Sequence, residues 1–320
     1  MAAINKANLS VLFLNLKKSF QNGLTLGKPQ WQRVATRIPS TGAANYYAWL
    51  EMFPKMREWI GEKQLTRLLK QDFTVPNKDF EATVVVKRNH IKDDQLGIYG
   101  IQAAGAGESA AMWPHEIVFE LLTKGFTEKA YDGQPFFSDK HVIGDKTYSN
   151  MGKAPLSVAS QAEAKASFGA ARTSMKKLKD RHDRPLNITP DVLVVPPALE
   201  DVARTLMTAE RLEDGKPNLY KGSAEVLVIQ DLKTDTEWYL LDTTKVLKPL
   251  IFQERESRTL SPRPIWTRTT SLCGLSINTA LSLAVPLRSV TGRWLTAPRV
   301  KETDHELRHP GGLQNLFHRA

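Results

Sequence analysis

Three polar residues in the stretch YDGQPFFSDKH have the side chains of a hydrolytic site. Ser138, Asp139 and His141 supply a hydroxyl, a carboxylate and an imidazole almost side by side. A catalytic triad is instead assembled by the fold from separate elements, with its nucleophile held on a sharp turn. Neighbours in one loop lack that arrangement, so the pattern favours an ordinary polar loop and predicts no catalytic residue.

Histidines next to acidic residues offer candidate metal ligands at three further places. These are His90 with Asp93 and Asp94, His115 with Glu116, and His182 with Asp183. None of them has the HExxH spacing or the paired cysteines that identify a metal site from sequence. We expect surface pairs or helix starts, with no metal and no cofactor.

Four glycines, Gly97, Gly100, Gly105 and Gly107, invite comparison with a phosphate-binding loop. A P-loop also needs a lysine followed by Ser or Thr, and a dinucleotide-binding loop needs a strand just before GxGxxG. The stretch Gly105-Ala-Gly-Glu has neither the lysine of a P-loop nor the third glycine of a dinucleotide-binding loop. Small residues that let a long helix pack closely are the better explanation.

A basic run lies on a helical pattern at Lys176, Lys177, Lys179 and Arg181. A solvated helix face is the favoured interpretation, and a DNA-facing or subunit-facing surface is the alternative. The net charge of +10 is concentrated elsewhere, because nine Lys or Arg outnumber three Asp or Glu from residue 257 onward. The nearly balanced remainder is compatible with a mildly basic surface that faces DNA.

Two features bear on the cellular compartment. Cys273 is the single cysteine, which excludes an internal disulfide and fits a reducing compartment such as the bacterial cytoplasm. No apolar run reaches the roughly 20 residues that a membrane-spanning helix needs. The apolar N-terminal stretch is broken by Asn15, Lys17 and Lys18 and has no small-residue cleavage site, so it predicts a short amphipathic helix and no signal peptide.

The elements that must position these residues begin with an arm and a loop. Residues up to about Ala44 combine a short helical pattern with Gly- and Pro-rich turns, which is typical of an extended arm lying on a neighbour. The aromatic and charged stretch up to about Phe80 predicts a long, projecting two-stranded loop. A strand centred on Val84–Val86 follows.

A long helix is predicted from Asp93 and Asp94 to a C-terminal cap at Gly125, with Pro114 kinking or dividing it. Residues 126–155 are loop-like. From about 156 to 250, helical and strand patterns alternate, with one helix ended by Pro185 and strands in DVLVVPP, AEVLVIQDL, EWYLLDT and KPLIFQER. This alternation indicates a compact α/β unit.

Seven long stretches carry a resemblance to a known family. They are LKKSFQNGL, YYAWLEMFPKMREWIGEK, NKDFEATVVVKRNHIKDDQLGIYG, PHEIVFELLTKGF, YDGQPFFSDKH, DVLVVPPALEDVAR and YLLDTTKVLKPLIFQER. From about residue 8 to residue 256 the chain thereby resembles the Mu-like prophage major head subunit family. The resemblance implies an α+β fold of the Hong Kong phage type, the major capsid fold that tailed phages share with herpesviruses.

The resemblance also implies a division of the chain. The regions are the N-terminal arm 1–45, the extended loop 46–80, the peripheral domain 81–155 with its spine helix at about 93–124, the axial domain 156–250, a return to the peripheral domain at 251–257, and the tail 258–320. Composition gives the same order of arm, loop, strand, long helix and α/β unit.

The function implied by the resemblance is that of a major capsid protein, which self-assembles into the icosahedral head enclosing phage DNA and is not an enzyme. The implied partners are copies of the chain in hexamers and pentamers, a scaffold, a maturation protease, the portal and packaged DNA, with no membrane. The implied location is the virion capsid, assembled in the bacterial host cytoplasm. Expected inter-subunit contacts lie in the extended loop, at Trp49, Phe53, Trp59, Lys63 and Phe73.

The resemblance stops after Glu256, where the chain becomes dense in Arg, Ser, Thr, Pro and Leu. Joining the last base of each codon to the first two of the next permits FVSQTDMD from Thr259 and YKHGAESRGAAAVGYGQMAYGSTG from Ser276, which look like the missing family ending. We hypothesise a frameshift near residues 257–259, so that residues 258–320 would be a non-native, disordered tail. Such a chain would assemble poorly, because sheet strands would lose their partners. A divergent basic tail is the alternative.

Two functions from other classes stay open at this point. A soluble phage-encoded hydrolase using Ser138 and His141 would be a small particle whose activity is lost in His141→Ala. A DNA-binding module driven by the basic tail would lose binding on truncation at Glu256.

Overall fold

The structure is a computed structural model. It describes residues 6–47, 74–77, 80, 84–87, 97–128, 133–143, 146–179, 184–260, 265–267, 270–273 and 281–284. Helices and strands are mixed along the chain.

Five α-helices lie in the described residues. They are α1 (Lys6–Leu26), α2 (Gly97–Lys124), α3 (Gln161–Ala164), α4 (Ala170–Lys176) and α5 (Glu200–Thr208). A π-helical segment at Lys165–Gly169 joins α3 to α4, and 3-10 turns lie at Trp31–Arg33 and Pro197–Leu199. Ser160 caps α3, because its side chain accepts a hydrogen bond from the Glu163 N–H.

The strands are short and form several small sheets. They are β1 (Ala35–Pro39), β2 (Ala44–Tyr46), β3 (Thr74–Pro76), β4 (Val84–Lys87), β5 (His141–Ile143), β6 (Lys146–Tyr148), β7 (Val192–Val195), β8 (Glu225–Val228), β9 (Tyr239–Leu241), β10 (Leu250–Glu254), β11 (Ile265–Thr267), β12 (Thr270–Cys273) and β13 (Leu281–Ala284). The sheets have the strand orders β8-β7-β9, β1-β10-β13, β11-β12-β4, β2-β3 and β5-β6.

The β8-β7-β9 sheet has β7 at its centre, parallel to β8 and antiparallel to β9. All four residues of β7 are buried, as expected for a strand covered on both faces. Leu193 and Val195 point into a core with Phe168 and Leu206, which lie on the helical segments. The alternate side chains, such as Val194, point to the opposite face and a second core.

The β1-β10-β13 sheet has β10 at its centre, parallel to β1 and antiparallel to β13. Its apolar side chains share the second core with α2. Phe252 of β10 packs on Trp31 with ring centroids 4.4 Å apart, and Val118 and Phe119 of α2 are fully buried beside them. This core therefore joins the arm, the long helix and both sheets.

The N-terminal arm differs from its prediction. α1 is a long helix that continues through Gly23 to Leu26, and it packs along α2 of the same chain. The expectation of a short helix is therefore wrong for α1, while its expected contact with a neighbour stays a prediction. The physical reason is that Leu12, Leu16 and Phe20 recur on one helix face and are buried there.

Two other expectations are corrected, namely the end of α4 and the disorder of the whole tail. α4 ends at Lys176, well before Pro185. α2 continues through Pro114, so of the expected kink or division only the division is excluded. β10 pairs with β1 and β13. Leu250 and Phe252 are buried in the core of Trp31 and α2, and Ile251 is buried on the other side with Tyr47 and Val75. The segment predicted as a disordered tail contains the strands β11, β12 and β13: β12 pairs with β4 and with β11, and β13 pairs with β10. The frameshift itself stays a prediction.

Candidate functional site

Hydrogen bonds between side chains and backbone groups hold the loop around Ser138 in place. His141 is buried, with its Nε2 atom 3.1 Å from the Phe136 carbonyl oxygen, and Ser138 Oγ accepts a hydrogen bond from the Lys140 N–H at 3.1 Å. Asn150 completes the brace, since its Oδ1 accepts from the Ser138 N–H at 2.8 Å and its Nδ2 donates to the Phe136 carbonyl at 2.6 Å. These side chains hold the shape of the loop.

His115 lies where the arm, α2 and the loop after β8 meet. Its Nδ1 accepts a hydrogen bond from the Gln30 N–H at 3.0 Å, and its Nε2 faces Asp231 Oδ2 at 3.1 Å. Burial lowers the pKa of His115, against the opposing charge and hydrogen bond of Asp231. The neutral ring therefore ties the arm and the loop after β8 to α2.

No group of three or more His, Cys, Asp or Glu side chains within the described residues is arranged to hold a metal ion. Glu116, the neighbour of His115, is exposed on α2. The other candidate ligands lie outside the described residues, namely His90, Asp93, Asp94, His182 and Asp183.

The small residues of α2 make the contact with α1. A Cβ atom on Gly107 would lie 2.2 Å from the Phe20 carbonyl oxygen, and one on Gly23 would lie 1.9 Å from the Ala104 carbonyl oxygen. Gly97 and Gly105 instead have open space around them. Close helix packing is thus the role of Gly107, and no feature of this glycine-rich segment suggests a phosphate site.

The basic run is exposed where the structure describes it. Lys176, Lys177 and Lys179 are all solvent-accessible at the end of α4, and Arg181 lies outside the described residues. This exposure agrees with the favoured solvated face and leaves the alternative of a DNA-facing surface untested.

The base of the predicted extended loop consists of two paired strands, and polar side chains join it to β10. β2 and β3 pair antiparallel, and Tyr47 next to β2 and Asn77 next to β3 both bond to the side chain of Gln253 on β10. Sequence reasoning did not identify Gln253; the available signal was one amide within the apolar run LIFQE. The five predicted contact residues, Trp49, Phe53, Trp59, Lys63 and Phe73, lie outside the described residues.

Several large apolar side chains are exposed on α1, on α2 and in the loop before β10. Val11 and Leu14 are exposed on α1, Ile98 and Ile101 on α2, and Val246 in the loop before β10 is 96% accessible. In the part of the chain that the structure describes, no helix is long and apolar enough to cross a bilayer.

Two curated proteins are similar to part of this chain. The major capsid protein of Escherichia phage Mu is 36% identical over 140 residues, which is 44% of this chain and 46% of the relative. The FluMu major head subunit of a Mu-like prophage of Haemophilus influenzae is 36% identical over 144 residues, 45% of this chain and 47% of the relative. The aligned segment spans about half the length of either relative.

A solved structure and a family match extend this similarity over most of the chain. A chain of the procapsid of bacteriophage JBD30 superposes with a TM-score of 0.60 at 29% identity, covering 72% of this chain and 100% of that chain. The expected α+β capsid fold is therefore confirmed. The family described as Mu-like prophage major head subunit gpT matches residues 9–165, 155–232 and 229–264. This chain belongs to the Mu-like prophage major head subunit family.

Proposed function

We propose that the chain is the major capsid subunit of a Mu-like phage or prophage, and that its copies assemble into the icosahedral shell enclosing the phage DNA. The observation that carries this proposal is the fold shared with the JBD30 procapsid chain over that chain's whole length. The family match supports the same role independently of the superposition.

The described surface suits a structural role. Apolar side chains on α1, on α2 and in the loop before β10 are exposed in the single chain, and contact with further copies would remove them from water. A closed shell repeats every contact many times, so that individually small contacts add up. The proposed role needs no catalytic residue.

Partners and location follow from the family resemblance. We propose hexamers and pentamers of the chain, assembly in the bacterial cytoplasm with a scaffold, a maturation protease and the portal, and a final place in the virion capsid. The residues proposed to contact the adjacent subunit remain Trp49, Phe53, Trp59, Lys63 and Phe73. The exposed lysines at the end of α4 support non-specific contact with packaged DNA.

The experiment compares two proteins, each expressed with the phage scaffold. One is this chain, and the other has the reading frame restored after residue 257. We expect the restored chain to form closed shells by electron microscopy and this chain to form far fewer. A restored chain that remains a small particle beside its scaffold would overturn the proposed function. Equal shell yields from the two chains would instead contradict the expected effect of the frameshift.

A further inference from the structure

The central strand β10 buries two polar side chains that point to opposite sides. Gln253 is fully buried, and Glu254 is 5% exposed. Glu254 forms ion pairs with Arg37 and Arg258, so its charge is compensated. Gln253 has no charge to compensate, yet its amide costs stability in a core unless both its donor and acceptor groups are used.

Both ends of one chain segment use that amide. Tyr47 donates its hydroxyl hydrogen to Gln253 Oε1 at 2.7 Å, and Gln253 Nε2 donates to Asn77 Oδ1. Nε2 also lies 3.4 Å from the Val75 carbonyl oxygen. Tyr47 directly precedes residues 48–73, and Val75 and Asn77 follow them. One side chain thus holds the entry and the exit of this segment together.

Further hydrogen bonds extend the same network on the side of the arm. Asn77 Nδ2 donates to Ser40 Oγ at 2.9 Å and to the Gly42 carbonyl at 2.7 Å. Ser40 Oγ in turn donates to Asn45 Oδ1 at 2.8 Å. The donors of Tyr47, Gln253, Asn77 and Ser40 therefore each have an acceptor within the network. A network that is satisfied in this way specifies one geometry.

The strands alone are too short to fix this geometry. β2 and β3 have three residues each, and an isolated two-stranded hairpin is marginally stable in water. The apolar support comes from a small cluster of Tyr47, Val75 and Ile251. Apolar contacts are non-directional, whereas the amide of Gln253 requires a particular placement of Tyr47 and Asn77.

We infer that Gln253 is a positioning residue for the base formed by β2 and β3: it fixes the placement of Tyr47 and Asn77 relative to each other and to β10. This inference rests on the proposed function only for its consequence, namely that a fixed base is needed for correct assembly with further copies. The direct effect is a property of the single chain and is measurable without assembly.

The first test measures the position of the β2–β3 base in unassembled chains. Spin labels are placed at Thr74→Cys, an exposed position on β3, and at Glu213→Cys, an exposed reference position, with Cys273→Ser removing the native thiol. We expect one narrow distance distribution by double electron–electron resonance. Gln253→Met keeps the side-chain volume but removes the amide, and Tyr47→Phe removes only the hydroxyl; both should broaden the distribution.

The matched control is Gln161→Met. The Gln161 amide is buried and makes no side-chain hydrogen bond in the described structure, so the same substitution there should leave the distribution narrow. A Gln253→Met distribution as narrow as that of the parent would overturn the inference, and so would a parent distribution that is already broad. Tyr47→Phe keeps the test valid if Gln253→Met does not fold.

The second test measures assembly with the frame-restored chain and scaffold. Gln253→Met should lower the yield of closed shells about tenfold, in line with the loss of a satisfied buried hydrogen-bonding group. Gln161→Met, compared at equal thermal stability, should not. An unchanged Gln253→Met yield would refute the consequence for assembly. If the parent forms no shells, the proposed function fails, while the distance measurement still decides the role of Gln253.

Discussion

The β8-β7-β9 sheet and the β1-β10-β13 sheet are built in different ways. The first collects its strands from residues 192–241, and its central strand is apolar on both faces. The second pairs Ala35 with Leu250 and places Gln253 and Glu254 inside its central strand. The first sheet is a locally specified core, whereas the second is a junction that holds distant segments in register.

This difference explains where each sheet tolerates change. In the β8-β7-β9 sheet, the interactions are mainly apolar and depend on volume. At the junction, contacts also depend on direction, through the hydrogen bonds of Gln253. Substitutions in the first region should therefore change stability, and substitutions in the second should also change which segments stay attached.

The largest expected effect is in the apolar region. Trp238→Ala removes a fully buried ring beside β9 and leaves a cavity, so unfolding should become easier by about 3–5 kcal/mol. Chemical denaturation followed by circular dichroism measures this. Val246→Ala, at a position that is 96% accessible, is the control and should change stability by less than about 0.5 kcal/mol. Similar losses for both variants would contradict the assignment of this core.

The next effect concerns the contact of α1 with α2. Gly107→Ala places a methyl group where 2.2 Å separates it from the Phe20 carbonyl, so the helices must move apart at a cost of about 1–3 kcal/mol. Protease cleavage at Lys17 and Lys18 on α1 should become faster.

Gly105→Ala is the matched control for that prediction. The position is mid-helix and exposed, with open space around it, so alanine should stabilise the chain by about 1 kcal/mol through helix propensity. Opposite signs for the two variants are expected in thermal unfolding. The same sign for both would mean that α1 does not pack on α2 in solution.

A smaller effect is expected from pH at His115. Because burial lowers its pKa in the folded chain, the unfolded chain binds the proton more readily, and stability should fall as pH drops below about 6.5. The neutral ring accepts the Gln30 N–H, and protonation of Nδ1 would break that bond. Thermal unfolding between pH 7.5 and 5 measures the slope, which should flatten in His115→Gln. If the slope of stability against pH were the same in His115→Gln as in the parent chain, the proposed contribution of His115 would be contradicted.

The sequence predicted the local elements better than the long-range ones. The strand in DVLVVPP and the helix that ends before Gly125 follow from apolar runs and capping residues close in sequence. The length of α1 was underestimated because glycine usually disfavours a helix interior. Gly23 is needed there for its close contact with the Ala104 backbone, which lies far along the chain. The partner of β10 could not be predicted for a similar reason, since β1 lies far away in the sequence.

The candidate site was predictable only as a region. Aromatic and turn residues predicted a projecting segment near residues 46–80, and β2 and β3 pair at its base. The role of Gln253 was not readable, because a single amide in an apolar strand has no partner within the local sequence. Its bonds to Tyr47 and Asn77 exist only once the chain has closed around them.

The smallest effect concerns surface charge between the two regions. The Lys233 side chain, in the loop after β8, lies 3.1 Å from Glu120 on α2; Lys233 is largely exposed and Glu120 is partly exposed. Lys233→Ala should cost less than about 1 kcal/mol and nothing at high salt, as for most exposed ion pairs. The control is Arg204→Ala, which breaks the exposed Arg204–Glu200 pair within α5. Equal, small, salt-sensitive losses in denaturation would mean that the regions are joined by the shared apolar core and His115. A markedly larger loss for Lys233→Ala would instead make this ion pair part of the junction.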